Sequence, residues 1–274
     1  MNINKVKSFA KINLALHVTG KLTKLHKIES IVKFIRLHDL ITIKKIDSKK
    51  HKISFNGSFS KNIKKDNTVD KIFNILDEQK LLNNKKFQIK IKKNIPQEAG
   101  LGGGSMNVAN ILNFLLKKKF IKLNKKKILK ITNSIGSDVI LGINPISTVL
   151  SSKNVIKKFS KSPKFYTLLV RPNFGCSTKK IYLGVKKFTK PMFNNPKKNM
   201  LSLKFLLKQE NALEKIVFSK YPKLKKLKSF LESLKKPLFV RMTGSGSVII
   251  AYYQKKQDCE LAKVKFKRKF KNYW

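Results

Sequence analysis

Four of the chain's 12 glycines fall within five positions, at 100, 102, 103 and 104, and no other stretch constrains the fold so tightly. Before them, Phe87, Ile89 and Ile91 alternate with polar residues, the pattern of a strand. After them, Val108, Ile111, Leu112, Leu115 and Leu116 recur at helical spacing. The glycines therefore occupy a strand-to-helix loop. One glycine suffices for a tight turn, whereas four let the backbone come close to a ligand because no Cβ intervenes. Successive amides then face a concavity at the positive end of the following helix, which suits a polyphosphate. Ser105 is placed to cap that helix or to offer a hydroxyl to a metal ion. No Gly-Lys-Ser/Thr follows, so this is not a Walker-type loop, and Ser105 breaks the spacing of the dinucleotide fingerprint.

Along the rest of the chain, Val6 to Val18 alternate as a strand, with Lys7, Phe9, Lys11, Asn13 and His17 on one face. A second strand is expected at Leu40 to Lys45. Asp66-Asn67 precede a helix carrying Val69, Ile72, Phe73 and Leu76, and a helix with Ile128, Leu129 and Ile131 should end near Gly136. Lysine, serine and Pro163 break the pattern from Ser151 to Lys164, which marks a domain boundary and divides the chain into 1–155 and 156–274. A strand at Phe165 to Val170 follows, then a helix start at Ser177-Thr178 and two helical stretches between Leu201 and Lys236. The chain ends on a strand-turn-strand from Leu238 to Tyr253 and a lysine-rich helix.

The formal charge of +49 invites a nucleic-acid reading. Against it, only Arg36, Arg171, Arg241 and Arg268 of the 63 basic residues are arginine, the side chain whose fork reads bases and clamps phosphates. The lysines are also spread along the whole chain, as compositional drift would leave them. No specific nucleic-acid partner is expected, only loose and salt-sensitive RNA binding. The apolar run Val248 to Tyr253 is far too short for a bilayer, and Asn13 and His17 interrupt the N-terminal one, so neither membrane nor secretory signal is expected. Cys176 and Cys259, so far apart, fit a reducing cytoplasm better than a disulfide scaffold.

Asp138 is the one acidic residue between Glu98 and Glu210 in a chain with 14 in all. It lies between Gly136-Ser137 and the apolar Val139-Ile140-Leu141, where a carboxylate is costly to bury without cations or donors. A turn or helix cap is the competing role, and the residue pattern does not choose between them.

Pro96 to Asn107, with its Gly-Leu-Gly-Gly-Gly-Ser core, resembles the central motif of the GHMP kinases in the form typical of 4-diphosphocytidyl-2-C-methyl-D-erythritol kinases. Ala10-Lys11-Ile12-Asn13-Leu14 resembles the first motif of that family, and Arg241-Met242-Thr243-Gly244-Ser245-Gly246-Ser247 the third. Gly136-Ser137-Asp138-Val139 is similar to the catalytic-aspartate segment, and Asn211-Ala212-Leu213-Glu214 with Tyr221-Pro222 to a stretch between motifs two and three.

The resemblance implies an α+β fold in two lobes, the first like ribosomal protein S5 domain 2 and the second ferredoxin-like. It implies ATP as co-substrate with Mg2+, a diphosphocytidyl methylerythritol substrate, and a monomer or homodimer. Asp138 would be the general base, with Lys11 as its partner stabilising charge on the attacking oxygen. Pro96, Ala99, Gly100, Leu101, Gly102, Gly103, Gly104 and Ser105 would hold ATP, with Asn67 and Lys93 near the adenine. Asn13, His26, Thr178, Tyr182, Gly244, Ser245 and Gly246 would hold the substrate, His26 contacting the cytosine and Tyr182 stacking on it. Two positions depart from the family. Leu25 stands where tyrosine is usual, in a loop 21–25 without the Asp-Gly-Tyr pattern, and Met106 stands where a second serine is usual. Kinases of mevalonate, homoserine or a sugar are the nearest rivals, and the triple glycine favours the diphosphocytidyl branch over them.

Overall fold

A computed structural model describes residues 3–23 and 25–274, so Lys24 of the loop 21–25 lies outside the described residues. The chain forms two compact units that interleave along the sequence: one ends at Lys11 and resumes over Phe34–Gln97 and Gly102–Pro145, the other takes Ile12–Lys33, Glu98–Leu101 and Ile146–Trp274. Two long strands cause the interleaving, β1 (Asn4–Lys21) and β2 (His26–Ile46), since each lends one end to each unit.

In the first unit, β2 continues well beyond the expected Leu40–Lys45 and is followed by β3 (Lys52–Asn56), α1 (Thr68–Glu78) and β4 (Lys86–Lys92). β4 pairs antiparallel with β2, Ile91 opposite Ile41 and Ile89 opposite Ile43, and parallel with β3, Ile89 opposite Ile53. With a period of two, this register turns Phe87, Ile89 and Ile91 to one face. There they meet Val69, Ile72, Phe73 and Leu76 of α1 and Val108, Ile111, Leu112 and Leu115 of α2 (Gly103–Lys117). α3 (Lys125–Ile135) and the one-turn α4 (Val139–Gly142) add Ile131 and Val139 to this core. α3 stops at Gly136, as expected from the sequence.

In the second unit, the segment read as a break is a hairpin. β5 (Ser147–Leu150) pairs with β6 (Ile156–Phe159), and Ser151 Oγ closes the turn by accepting from the amides of Lys153 and Val155. Two lysines in a four-residue strand hid β6 from a composition-based reading. β7 (Tyr166–Val170) and α5 (Thr178–Tyr182, capped by Ser177 Oγ) follow. Three helices, not two stretches, occupy the next region: α6 (Leu203–Leu207), α7 (Glu214–Lys220) and α8 (Pro222–Glu232). Pro222 splits the last two, because its ring cannot continue a helix but fits its first position. β8 (Phe239–Met242) and β9 (Ile249–Tyr253) complete an antiparallel sheet of order β7-β9-β8, and α8 and α9 (Lys256–Lys269) pack on it. Leu224, Leu227 and Leu231 of α8 and Phe266 of α9 bury against Val240, Ile249 and Ala251.

Candidate active site

The first unit brings Lys11 and Asp138 together. The lysine Nζ lies 3.0 Å from Asp138 Oδ2, its own side chain buried while the carboxylate keeps 29% of its surface. Asp138 occupies the N-cap position of α4 but makes no side-chain capping bond, so the helix-cap role is not the one it plays. Its charge is committed to the lysine, with one face open to solvent. Such a carboxylate can take a proton from a hydroxyl held beside it.

The glycine loop is built around that lysine. Gly102 has φ +68, a left-handed conformation that side chains avoid, and a Cβ there would sit 2.9 Å from Lys11 Cγ. Gly102 also serves as the N-cap of α2, and Ser105 lies inside the first turn, so the expectation that Ser105 caps the helix does not hold. A glycine already supplies the turn, which leaves the serine hydroxyl uncommitted to capping. A Cβ on Gly103 would come within 3.2 Å of Lys93 Nζ, and Thr68 Oγ1 donates to the Gly104 carbonyl at 3.3 Å. Met106 is fully buried, and its thioether lies where a side chain on Gly142 would begin. The residue that replaces the family's serine therefore packs under α4.

Lys93 is itself buried and pairs with Asp39, which is also fully buried. Asp39 Oδ1 accepts from the amides of Asn94 (2.8 Å) and Ile95 (2.9 Å), and Oδ2 from Asn107 Nδ2 (3.1 Å). The carboxylate thus fixes the two residues just ahead of buried Pro96 at the loop entrance. Asn67 caps α1 through a reciprocal box with Asp70, its side-chain oxygen accepting from Val69 at 2.9 Å. Its placement near adenine has no further support from these contacts.

The second unit holds the start of the glycine loop and the remaining candidates. Ala99 and Leu101 are buried, and Gly100 (φ +74) lies against the Thr243 carbonyl, where any side chain would collide. The Glu98 carbonyl accepts from Cys176 and Ser247, and the Ala99 carbonyl from Val248. Asn13 is buried, donates from Nδ2 to Ser30 Oγ at 2.8 Å and receives the Thr243 hydroxyl at 3.3 Å. Motif three is propped from below: Asn211 Nδ2 donates to the carbonyls of Met242 and Gly244, and Glu214 accepts from the Met242 amide at 2.7 Å. Buried Arg241 donates to the carbonyls of Leu14, Leu206 and Gln209 and stacks on Phe239, which makes it a strut. Gly244 and Gly246 both have positive φ, and Ser245 Oγ lies 2.9 Å from Thr178 Oγ1.

His26 packs on Tyr182, ring centroids 5.2 Å apart. Burial, and then nearby Lys21, holds the His26 imidazole below its ordinary value. Sequence reasoning missed Asp39 and Glu29, whose roles depend on partners far along the chain. Their one sequence signal is that acids are rare among so many lysines.

Comparison with known proteins identifies the family. The family model for the GHMP kinases N terminal domain matches residues 67–148, and that for GHMP kinases C terminal matches residues 193–272. A 4-diphosphocytidyl-2-C-methyl-D-erythritol kinase of Pelagibacter ubique (strain HTCC1062) is 57% identical over 100% of this chain and 98% of its own length. A crystal structure of 4-(cytidine 5'-diphospho)-2C-methyl-D-erythritol kinase matches with TM-score 0.76 at 20% identity, covering 99% of this chain and 97% of that one. Homoserine kinase from Cytophaga hutchinsonii matches almost as well, TM-score 0.71 at 16% identity over 100% and 93%, so these structural likenesses speak for the fold alone. The two family models and the full-length relative converge on one assignment, and the chain belongs to the GHMP kinase family.

Proposed function

We propose that the chain transfers the γ-phosphate of ATP to the 2-hydroxyl of 4-diphosphocytidyl-2-C-methyl-D-erythritol, a step of the non-mevalonate route to isoprenoids. The observation that carries it is the Lys11–Asp138 pair set against the left-handed Gly102 of the phosphate loop. Full-length identity to a kinase of that name selects the substrate among GHMP kinases, together with the Gly-Leu-Gly-Gly-Gly-Ser core. Kinases of mevalonate, homoserine or sugars are not favoured.

In this reading the Asp138 carboxylate takes the proton from the substrate hydroxyl. The freed oxygen attacks the γ-phosphorus, the bond to the bridging β–γ oxygen breaks, and ADP leaves. The Lys11 ammonium stabilises the charge that develops on the attacking oxygen. Amides of the loop 100–105 hold the phosphates. Mg2+ would accompany ATP and neutralise phosphate charge, and the Ser105 hydroxyl, which makes no capping bond, offers it a hard oxygen donor. Asn13, His26, Thr178, Tyr182 and the turn 244–246 are assigned to the substrate.

The division into an N-terminal 1–155 and a C-terminal 156–274 domain is likewise proposed, supported by two family matches that lie on either side of it. We place the protein in the cytoplasm. Among the described residues no helix is long and apolar enough to cross a membrane. Both cysteines are free, and burial pushes the Cys176 thiol up to about 11, an unreactive group.

A coupled assay on wild type and Asp138→Asn tests the reading. The amide cannot accept the proton, so turnover should fall by at least ~10²-fold while ATP affinity is retained. Turnover of the variant within tenfold of wild type would remove Asp138 from the base role.

A further inference from the structure

The segment between α5 and α6 has no regular secondary structure over 183–197, yet the backbone of 188–193 is held in place. The Thr189 amide donates to the Val18 carbonyl at 2.8 Å. The amides of Met192 and Phe193 donate to the two carboxylate oxygens of Glu29, at 2.8 and 2.9 Å. Glu29 is fully buried, and its Oε1 also meets Nδ1 of buried His17, 3.0 Å away. Phe193 is buried too, its ring 5.0 Å from the His17 ring and 6.0 Å from Phe205. Three backbone amides, those of Thr189, Met192 and Phe193, thus pin the strap.

Phe188, just ahead of the first pin, remains 47% exposed, and its ring centroid lies 6.5 Å from that of His26. His26 thus has two aromatic neighbours, Tyr182 and Phe188, and the second is open to solvent. A large apolar ring left in water on a fixed backbone, beside the His26 ring, has the makings of a base-stacking surface. Leu25, at the position where an aromatic would be looked for, is 63% exposed and supplies no π face.

We propose that Phe188 is a specificity-determining residue of this enzyme, a second stacking surface for the cytosine of the substrate, standing in for the aromatic that Leu25 lacks. Glu29 is then a positioning residue, acting through the strap. The inference rests on the diphosphocytidyl reading of the site, and two measurements separate the failure of one from the failure of the other.

The first measurement is turnover of the diphosphocytidyl substrate by wild type, which tests the reading itself. The second is calorimetric affinity for CDP, which carries the same base and diphosphate, in wild type, Phe188→Ala and Phe188→Tyr. Loss of a stacking ring should weaken CDP about tenfold in Phe188→Ala and leave it nearly unchanged in Phe188→Tyr. In kinetics the Ala variant should raise KM for the diphosphocytidyl substrate by a similar factor, with kcat and KM for ATP within twofold of wild type. Because Phe188 is exposed, the variants should fold. Unchanged CDP affinity in Phe188→Ala, or equal damage from Phe188→Tyr, overturns the proposal whatever the turnover.

Discussion

Strand β2 carries one buried carboxylate toward each end, and the two solve the same problem with different partners. Asp39, in the first unit, grips the amides of Asn94 and Ile95 ahead of the phosphate loop, with Lys93 as counter-charge. Glu29, in the second unit, grips the amides of Met192 and Phe193, with His17 beside it. A carboxylate has about four acceptor sites, enough to hold two successive amides and still meet a third donor. In each unit a loop without regular structure becomes a fixed surface. The partners set how much each grip is worth. Loss of the partner strands an ammonium in the interior, which can shed its proton only at a large cost, whereas an imidazole sheds one close to neutral pH.

The comparison predicts unequal damage. Asp39→Ala should be the most destructive single change outside the hydrophobic cores. It strands Lys93 and leaves two amides and the Asn107 side chain without their acceptor, so a loss of about 3–5 kcal/mol is expected in denaturant unfolding. ATP affinity should fall with it, since the loop entrance is no longer fixed. Glu29→Ala should cost less, about 1–3 kcal/mol. Its functional signature should be a raised KM for the diphosphocytidyl substrate with KM for ATP unchanged. Equal losses in the two variants would mean that the charge of the partner does not matter, and a raised KM for ATP in Glu29→Ala would break the assignment of the strap to the substrate.

The two grips also mark the limit of what was legible in the sequence. The glycine loop, α1, α2, β4 and the last hairpin announced themselves through local period and composition. Lys11, Asp138 and the third motif were found through their match to family patterns. Asp39 and Lys93 lie 54 positions apart, and Glu29 lies 163 positions from Met192. No local pattern encodes such a pairing. Short strands were lost for another reason: β3, β5 and β6 have four or five residues each, too few for alternation to stand out, and lysines further obscure β3 and β6. Phe188 could not have been singled out among 19 phenylalanines, because its meaning comes from the strap that fixes it.

The smallest expected effect concerns His51, at a sheet margin. Its Nδ1 accepts from the Phe87 amide at 3.0 Å, and its Nε2 lies 3.2 Å from Asp77 Oδ2, a carboxylate it shares with Lys86. The ring also packs 4.4 Å from Phe73, centroid to centroid. Burial is the main reason its proton affinity falls below the ordinary value of 6.5, opposed by Asp77 and reinforced by Lys86. Protonation would also turn the Nδ1 acceptor into a second donor facing the Phe87 N–H. The unfolded chain therefore binds this proton more readily than the folded one. Stability from this group is complete above about pH 6.5 and declines as pH falls from there toward the lowered folded value. His51→Gln keeps an acceptor and a donor but cannot titrate. Melting temperatures of wild type and His51→Gln, compared from pH 7.5 down to pH 5, should show a shallower decline for the variant by a few degrees at most. Parallel curves would mean that His51 contributes nothing to the acid sensitivity of the first unit.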